Sequence, residues 1–115
     1  MAEIDIQAKF RGSLRYVGPS VHVVAVPNAG KRTPWQQRQV KKEGLATGFP
    51  DVMCIWPGGI CFIEFKVPKG VVSDNQREWL DRLSGYGFHA TIARSVEEAL
   101  GFLRECGAPV GRIAA

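Results

Sequence analysis

The chain has 115 residues, 45% of them hydrophobic and 23% charged, with a formal net charge of +4 at pH 7. That balance fits one globular α/β-sized domain over residues 1–115 and excludes a disordered or low-complexity polypeptide. No apolar run approaches the roughly 18–20 residues that span a bilayer, and MAEIDIQAKFRG lacks a basic segment followed by an apolar one, so neither a membrane span nor a signal peptide is expected.

The cytoplasm is then the default compartment. Cys54, Cys61 and Cys106 are odd in number and lack CxxC spacing, which disfavours a zinc site and suits a reducing environment. Cys54 and Cys61 are expected to be small core residues.

Residues 3–16 predict a short helix, with Ile4 or Ile6, Phe10 and Leu14 near one face and Gly12 as an interruption. Residues 20–26, SVHVVAV, are rich in β-branched side chains and read as a buried strand stopped by Pro27. A polar connection over residues 28–48 follows; a connection of that length is either functional or hides a short helix. Between Lys31 and Lys42 it carries five basic residues, Lys31, Arg32, Arg38, Lys41 and Lys42, and no acid, with Trp35 for stacking. Such a stretch suits phosphates, and equally suits a solvated loop.

Two strands, residues 51–56 and 60–67, flank Pro57-Gly58-Gly59. Ser73 followed by Gln76 is a capping-box signature for the next helix, whose apolar side is Trp79, Leu80 and Leu83 and which Gly85 and Gly87 end. Residues 88–93 form a fourth strand. Ser95 with Glu98 opens a final helix with a Val96, Ala99, Leu100 and Leu103 face. The order α-β-β-β-α-β-α predicts an α/β fold, a mixed central sheet with helices against it. His22 and His89 fall within strands and read as packed or hydrogen-bonded residues rather than catalytic ones.

The hairpin places charge at the mouth of the most apolar segment. With Gly58-Gly59 as the turn, Trp56 faces Cys61, Met53 faces Glu64 and Asp51 faces Lys66. Glu64 and Lys66 then share a face, and Asp51 joins them, diagonal to Glu64 at about 7–8 Å between backbones. An odd, unbulged loop would send Asp51 to the other face. Two carboxylates and an ammonium in that arrangement suit Mg²⁺, which takes one or two carboxylates together with water and phosphate. A lysine beside them can orient the attacking water or stabilise developing negative charge. The plain alternative is an Asp51–Lys66 surface salt bridge worth little energy.

Gly48-Phe49-Pro50-Asp51, then Ile63-Glu64-Phe65-Lys66, then Ser73-Asp74-Asn75-Gln76 closely resemble the VRR-NUC family, the virus-type replication-repair branch of the PD-(D/E)xK nucleases. The resemblance covers about residues 23–103. It implies a restriction-endonuclease-like αβββαβ core and metal-dependent hydrolysis of phosphodiester bonds in DNA, with Mg²⁺ or Mn²⁺ as cofactor. Carried onto this chain, Asp51 and Glu64 would be metal ligands, the Phe65 carbonyl a further ligand and Lys66 the catalytic lysine. Gln76 matches the family's helix glutamine near the active site, or it simply caps its helix. Glu3 followed by Gln7 loosely matches an acidic residue of the family's first helix, which makes Glu3 a candidate outer ligand or an ordinary surface acid. Lys31 and Arg32, in the stretch that matches the family's polar turn, are candidate DNA phosphate contacts, while Asn28 and Gly30 shape that turn; Lys69 is either a further DNA contact or a solvated turn lysine. Members of this size look like homodimers of bacterial cells or phage-infected hosts, suited to paired cuts in branched DNA such as a four-way junction. Two other readings remain: a non-catalytic nucleic-acid-binding module, and an exonuclease or nickase subunit of a larger complex.

Overall fold

In the computed structural model of the chain, which describes residues 2–27, 33–44 and 46–112, the elements run α1 (Glu3–Val17), β1 (His22–Ala25), α2 (Pro34–Glu43), β2 (Val52–Trp56), β3 (Gly59–Phe65), α3 (Asp74–Gly85), β4 (His89–Ala93) and α4 (Val96–Glu105). The strands form one sheet in the order β1-β2-β3-β4. β1, β2 and β3 are antiparallel neighbours, and β4 joins β3 in parallel after the α3 crossover. The fold is the expected α/β arrangement, a mixed sheet flanked by helices, with the restriction-endonuclease-like order.

Side-chain alternation splits the sheet into two faces. Val52, Cys54 and Trp56 of β2, with Cys61, Ile63 and Phe65 of β3, point into a core completed by Ile6, Phe10 and Leu14 of α1 and Ala99, Leu100 and Leu103 of α4. Phe10 meets Phe65 at 5.4 Å between ring centroids. Cys54 and Cys61 pair across the hairpin and are fully buried, as small core residues. The opposite face carries Phe62 and Glu64 and is covered by α3, where Phe49 packs edge-on against both Phe62 and Trp79.

Several expectations change. α1 runs uninterrupted through Gly12 to Val17. The connection after β1 does hide a helix: Thr33 and Gln36 exchange reciprocal backbone–side-chain bonds at 2.8 and 3.1 Å, which start α2 with Pro34 at its first position. β1 is not buried. It is a sheet edge, largely exposed, because β-branched residues report strand preference rather than position in the sheet. His22 and His89 are likewise exposed rather than packed. In α4, Ser95 accepts from the Glu98 N–H at 3.1 Å, but the Glu98 carboxylate takes the Arg94 N–H at 3.3 Å, so the second capping box is only half made.

The hairpin register also shifts. Trp56 pairs with Gly59, not Cys61, and Met53 with Phe62, not Glu64, so the two-residue loop is Pro57-Gly58. Proline fixes the first turn position and cannot donate to a ladder, and Gly58 supplies the positive φ of 90° at the second. Gly59 lies beneath the Trp56 indole, where an added β-carbon would fall 2.3 Å from the ring. The displacement is by two residues, so the parity of the faces is unchanged.

Candidate active site

Continuing that register by one residue sets Asp51 directly opposite Glu64, with Lys66 diagonal to it. The expected Asp51–Lys66 pairing is therefore replaced by a carboxylate–carboxylate pairing. The Asp51 Oδ2 accepts the Phe65 N–H at 2.8 Å, so the acid on one strand is fixed by the backbone of the other. Among the described residues the one ion pair within 4.0 Å is Arg82–Glu78, at 2.8 Å on α3. An Asp51–Lys66 salt bridge is thus not what holds these charges.

Glu64 is only 2% exposed. Its Oε2 accepts from the Gln76 Nε2 at 3.0 Å, while its Oε1 is buried with no hydrogen-bond partner. Gln76 reaches Glu64 from the first turn of α3, where its own Oε1 accepts the Ser73 N–H at 2.9 Å and its N–H donates to the Ser73 Oγ at 3.2 Å. Because the amide oxygen is engaged at the N-cap, the NH₂ end is the one turned to Glu64. Capping and contact with the carboxylate coexist in one side chain.

Gly48 permits this closeness. It has φ +84°, and a β-carbon there would stand 2.7 Å from the Asn75 carbonyl carbon and 2.8 Å from the Gln76 nitrogen. The segment leading into Asp51 therefore lies directly on the start of α3.

The electrostatics follow from burial. Desolvation, with the charge of Asp51 added, pushes the Glu64 carboxyl up to about 8, against the opposing pull of Lys66. Asp51 is also raised, by desolvation first and by the charge of Glu3 less strongly, while the Phe65 N–H opposes the shift. Two hard oxygen donors that resist joint ionisation, one with an orphaned lone-pair site, fit a divalent cation such as Mg²⁺.

No group of three or more His, Cys, Asp or Glu residues converges to hold a metal among the described residues, so the acidic set is two carboxylates. Two are sufficient for Mg²⁺, which retains several waters. Glu3, partly exposed in the first turn of α1, acts on both carboxylates through its charge without joining them in such a group. Lys66 follows β3, held by its N–H to the Ala93 carbonyl at 3.0 Å, and is 9% exposed. Lys69 is exposed on the turn beyond. Asn28, Gly30, Lys31 and Arg32 lie outside the described residues.

Sequence reasoning missed two contributors to this neighbourhood. The close approach of Gly48 to α3 was signalled only by its place before Pro50 and Asp51. Arg94, whose Nη1 donates to the carbonyls of Val67, Pro68 and Gly70, carries no local signal at all.

Residues 4–97 match the model of the VRR-NUC domain family. A solved structure described as a VRR_NUC domain protein aligns with a TM-score of 0.67, covering 92% of this chain and 88% of its own, at 17% sequence identity; this is a likeness of fold. No match is found among curated proteins. No helix among the described residues is long and apolar enough to cross a membrane. With 94 of its positions spanned by the family model and the same architecture in a solved member, the chain belongs to the VRR-NUC domain family, a nuclease family of the PD-(D/E)xK superfamily.

Proposed function

We propose that this chain is a Mg²⁺- or Mn²⁺-dependent DNA endonuclease acting on branched DNA such as a four-way junction, working as a homodimer. The observation that carries the reading is the opposed pair Asp51 and Glu64, with one Glu64 oxygen held by Gln76 and the other buried without a partner. Asp51, Glu64 and the Phe65 carbonyl would hold the cation, with Glu3 as an outer contributor. When bound, the cation supplies charge neutralisation at the phosphodiester and a lower pKa for water.

The chain's own residues set the geometry. The Phe65 N–H fixes Asp51 Oδ2 and with it the carboxylate beside Glu64. Gln76 fixes the rotamer of Glu64. The Lys66 ammonium, diagonal to Asp51, orients the attacking water and stabilises charge on the phosphate as the 3′ oxygen leaves, giving a 5′ phosphate. Lys31, Arg32 and Lys69 contact flanking phosphates. Two such sites about a two-fold axis would make the paired cuts a junction requires.

The test is hydrolysis of labelled junction, flap, single-stranded and linear duplex DNA, with and without Mg²⁺. The expected result is junction cutting that requires the metal and is abolished in folded Asp51→Ala, Glu64→Ala and Lys66→Ala. Binding of DNA with no cleavage of any substrate would refute the enzyme reading. Full activity in one of the three variants refutes that residue's role.

A further inference from the structure

We propose that Arg94 is a positioning residue for Lys66, acting through the turn that follows β3. The inference rests on the role given to Lys66 above. Arg94 is the residue after β4, and the Ala93 carbonyl just before it accepts the Lys66 N–H at 3.0 Å, so its side chain starts beside the lysine's backbone. Its Nη1 donates to the carbonyls of Val67 at 2.9 Å, Pro68 at 3.1 Å and Gly70 at 2.9 Å. The turn is closed by the Gly70 N–H on the Val67 carbonyl at 2.9 Å.

One guanidinium nitrogen thus gathers three carbonyls of a four-residue turn. The guanidinium stays charged at any working pH, and hydrogen bonds from an ionised donor are the stronger kind. The clamp is itself anchored: the Arg94 N–H is taken by the Glu98 carboxylate at 3.3 Å, and Ser95 caps α4 next door.

What this turn covers identifies its purpose. Pro68 and Lys69 are exposed, and Val71 beyond them is 83% exposed, so the tip of the turn contributes nothing to the core. Gly70 lies over the lysine stem, where a β-carbon would stand 3.4 Å from the Lys66 Cδ. Lys66 is only 9% exposed, yet no ion pair within 4.0 Å joins it to Asp51 or Glu64. Its placement comes from the chain folded over its stem, and Arg94 holds that chain down. A long side chain otherwise free to rotate is in this way confined before substrate arrives, the kind of pre-ordering that rate depends on.

Two measurements on Arg94→Met and Arg94→Lys test the proposal. The methionine keeps an apolar stem without donors, and the lysine restores donors. The first measurement is acylation of Lys66 by an N-hydroxysuccinimide ester, read by peptide mass spectrometry with exposed Lys69 as internal reference. The second is kcat and KM for junction cleavage in Mg²⁺. Arg94→Met should raise Lys66 acylation severalfold relative to Lys69 and lower kcat about tenfold or more, with KM little changed. Arg94→Lys should return both part of the way.

A folded Arg94→Met with native kcat overturns the proposal, whether or not Lys66 has become reactive. If Arg94→Met fails to fold, Arg94→Leu, which also lacks donors, replaces it under the same criteria. Loss of cleavage in Lys66→Ala beside native kinetics in the Arg94 variants refutes the proposal alone. Native kcat in Lys66→Ala refutes the role of Lys66 and removes the basis for this one.

Discussion

Gln76 and Glu64 are joined by a 3.0 Å hydrogen bond from an amide whose other end is fixed by the N-cap of α3. The helix start and the carboxylate are therefore set by the same side chain, and a change at position 76 is felt by both. Gln76→Ala removes the cap contact and leaves a second Glu64 oxygen unpaired, for an expected loss of about 1–2 kcal/mol of stability together with slower cleavage. Gln76→Glu keeps an acceptor for the Ser73 N–H but turns a carboxylate toward Glu64. That variant should show a smaller loss of helix capping and an equal or greater loss of activity. Urea unfolding and cleavage rates measured on the two variants separate these contributions; equal activity in all three proteins would remove Gln76 from the site.

Glu64 has an ordinary value of 4.5 and is pushed up to about 8 in the fold. Between those values the folded protein holds a proton that the unfolded chain has released, so stability of the metal-free protein falls as pH rises and levels off above about 8. Asp51, also raised, acts in the same direction. A cation must displace that proton, so the rise in Tm on adding Mg²⁺ should be larger near pH 8.5 than near pH 5.5. Thermal melts across pH, with and without Mg²⁺, read both trends, and Glu64→Gln should flatten them. A metal-free Tm that climbs from pH 5 to 8 would contradict the assignment.

Gly48 and Gly12 sit in opposite surroundings. Gly48→Ala must place a β-carbon 2.7 Å from the Asn75 backbone at φ +84°, where neither strain nor contact is easily relieved. The expected cost is about 2 kcal/mol or more, with loss of cleavage as Asp51 and Gln76 move apart. Gly12→Ala, in the middle of α1 with nothing within 4 Å of the new methyl, should instead stabilise by up to about 1 kcal/mol. Equilibrium unfolding of the two variants checks the opposite signs.

Much of this was legible in local chemistry. Ser73 and Gln76 announced α3, and the Pro57-Gly58-Gly59 turn announced a hairpin of even loop length with Asp51, Glu64 and Lys66 on one face. The register itself slipped because Pro57-Gly58 and Gly58-Gly59 are both two-residue loops; the choice between them was made by the φ requirement at Gly58 and by the indole lying on Gly59. The start of α2 was readable too, since Thr33, Pro34 and Gln36 spell a capping box with proline at the first helical position. Edge exposure of β1 was not, because sheet order is decided by which strands pair. Arg94 was beyond reach for the same reason: its partners lie 24–27 residues away, and nothing in its neighbours foretells them.

Those separations also divide the site into contacts made within the hairpin and its next helix and contacts made only through β4. The bond from Phe65 to Asp51 closes 14 residues and that from Gln76 to Glu64 closes 12, whereas the Arg94 bonds wait for β4 to dock in parallel beyond α3. Loop closure costs only about 0.6 kcal/mol more per doubling of length, so the contact between the two acids is slightly the cheaper to close. A partial opening that releases β4 and α4 would free Lys66 while leaving Asp51 and Glu64 face to face.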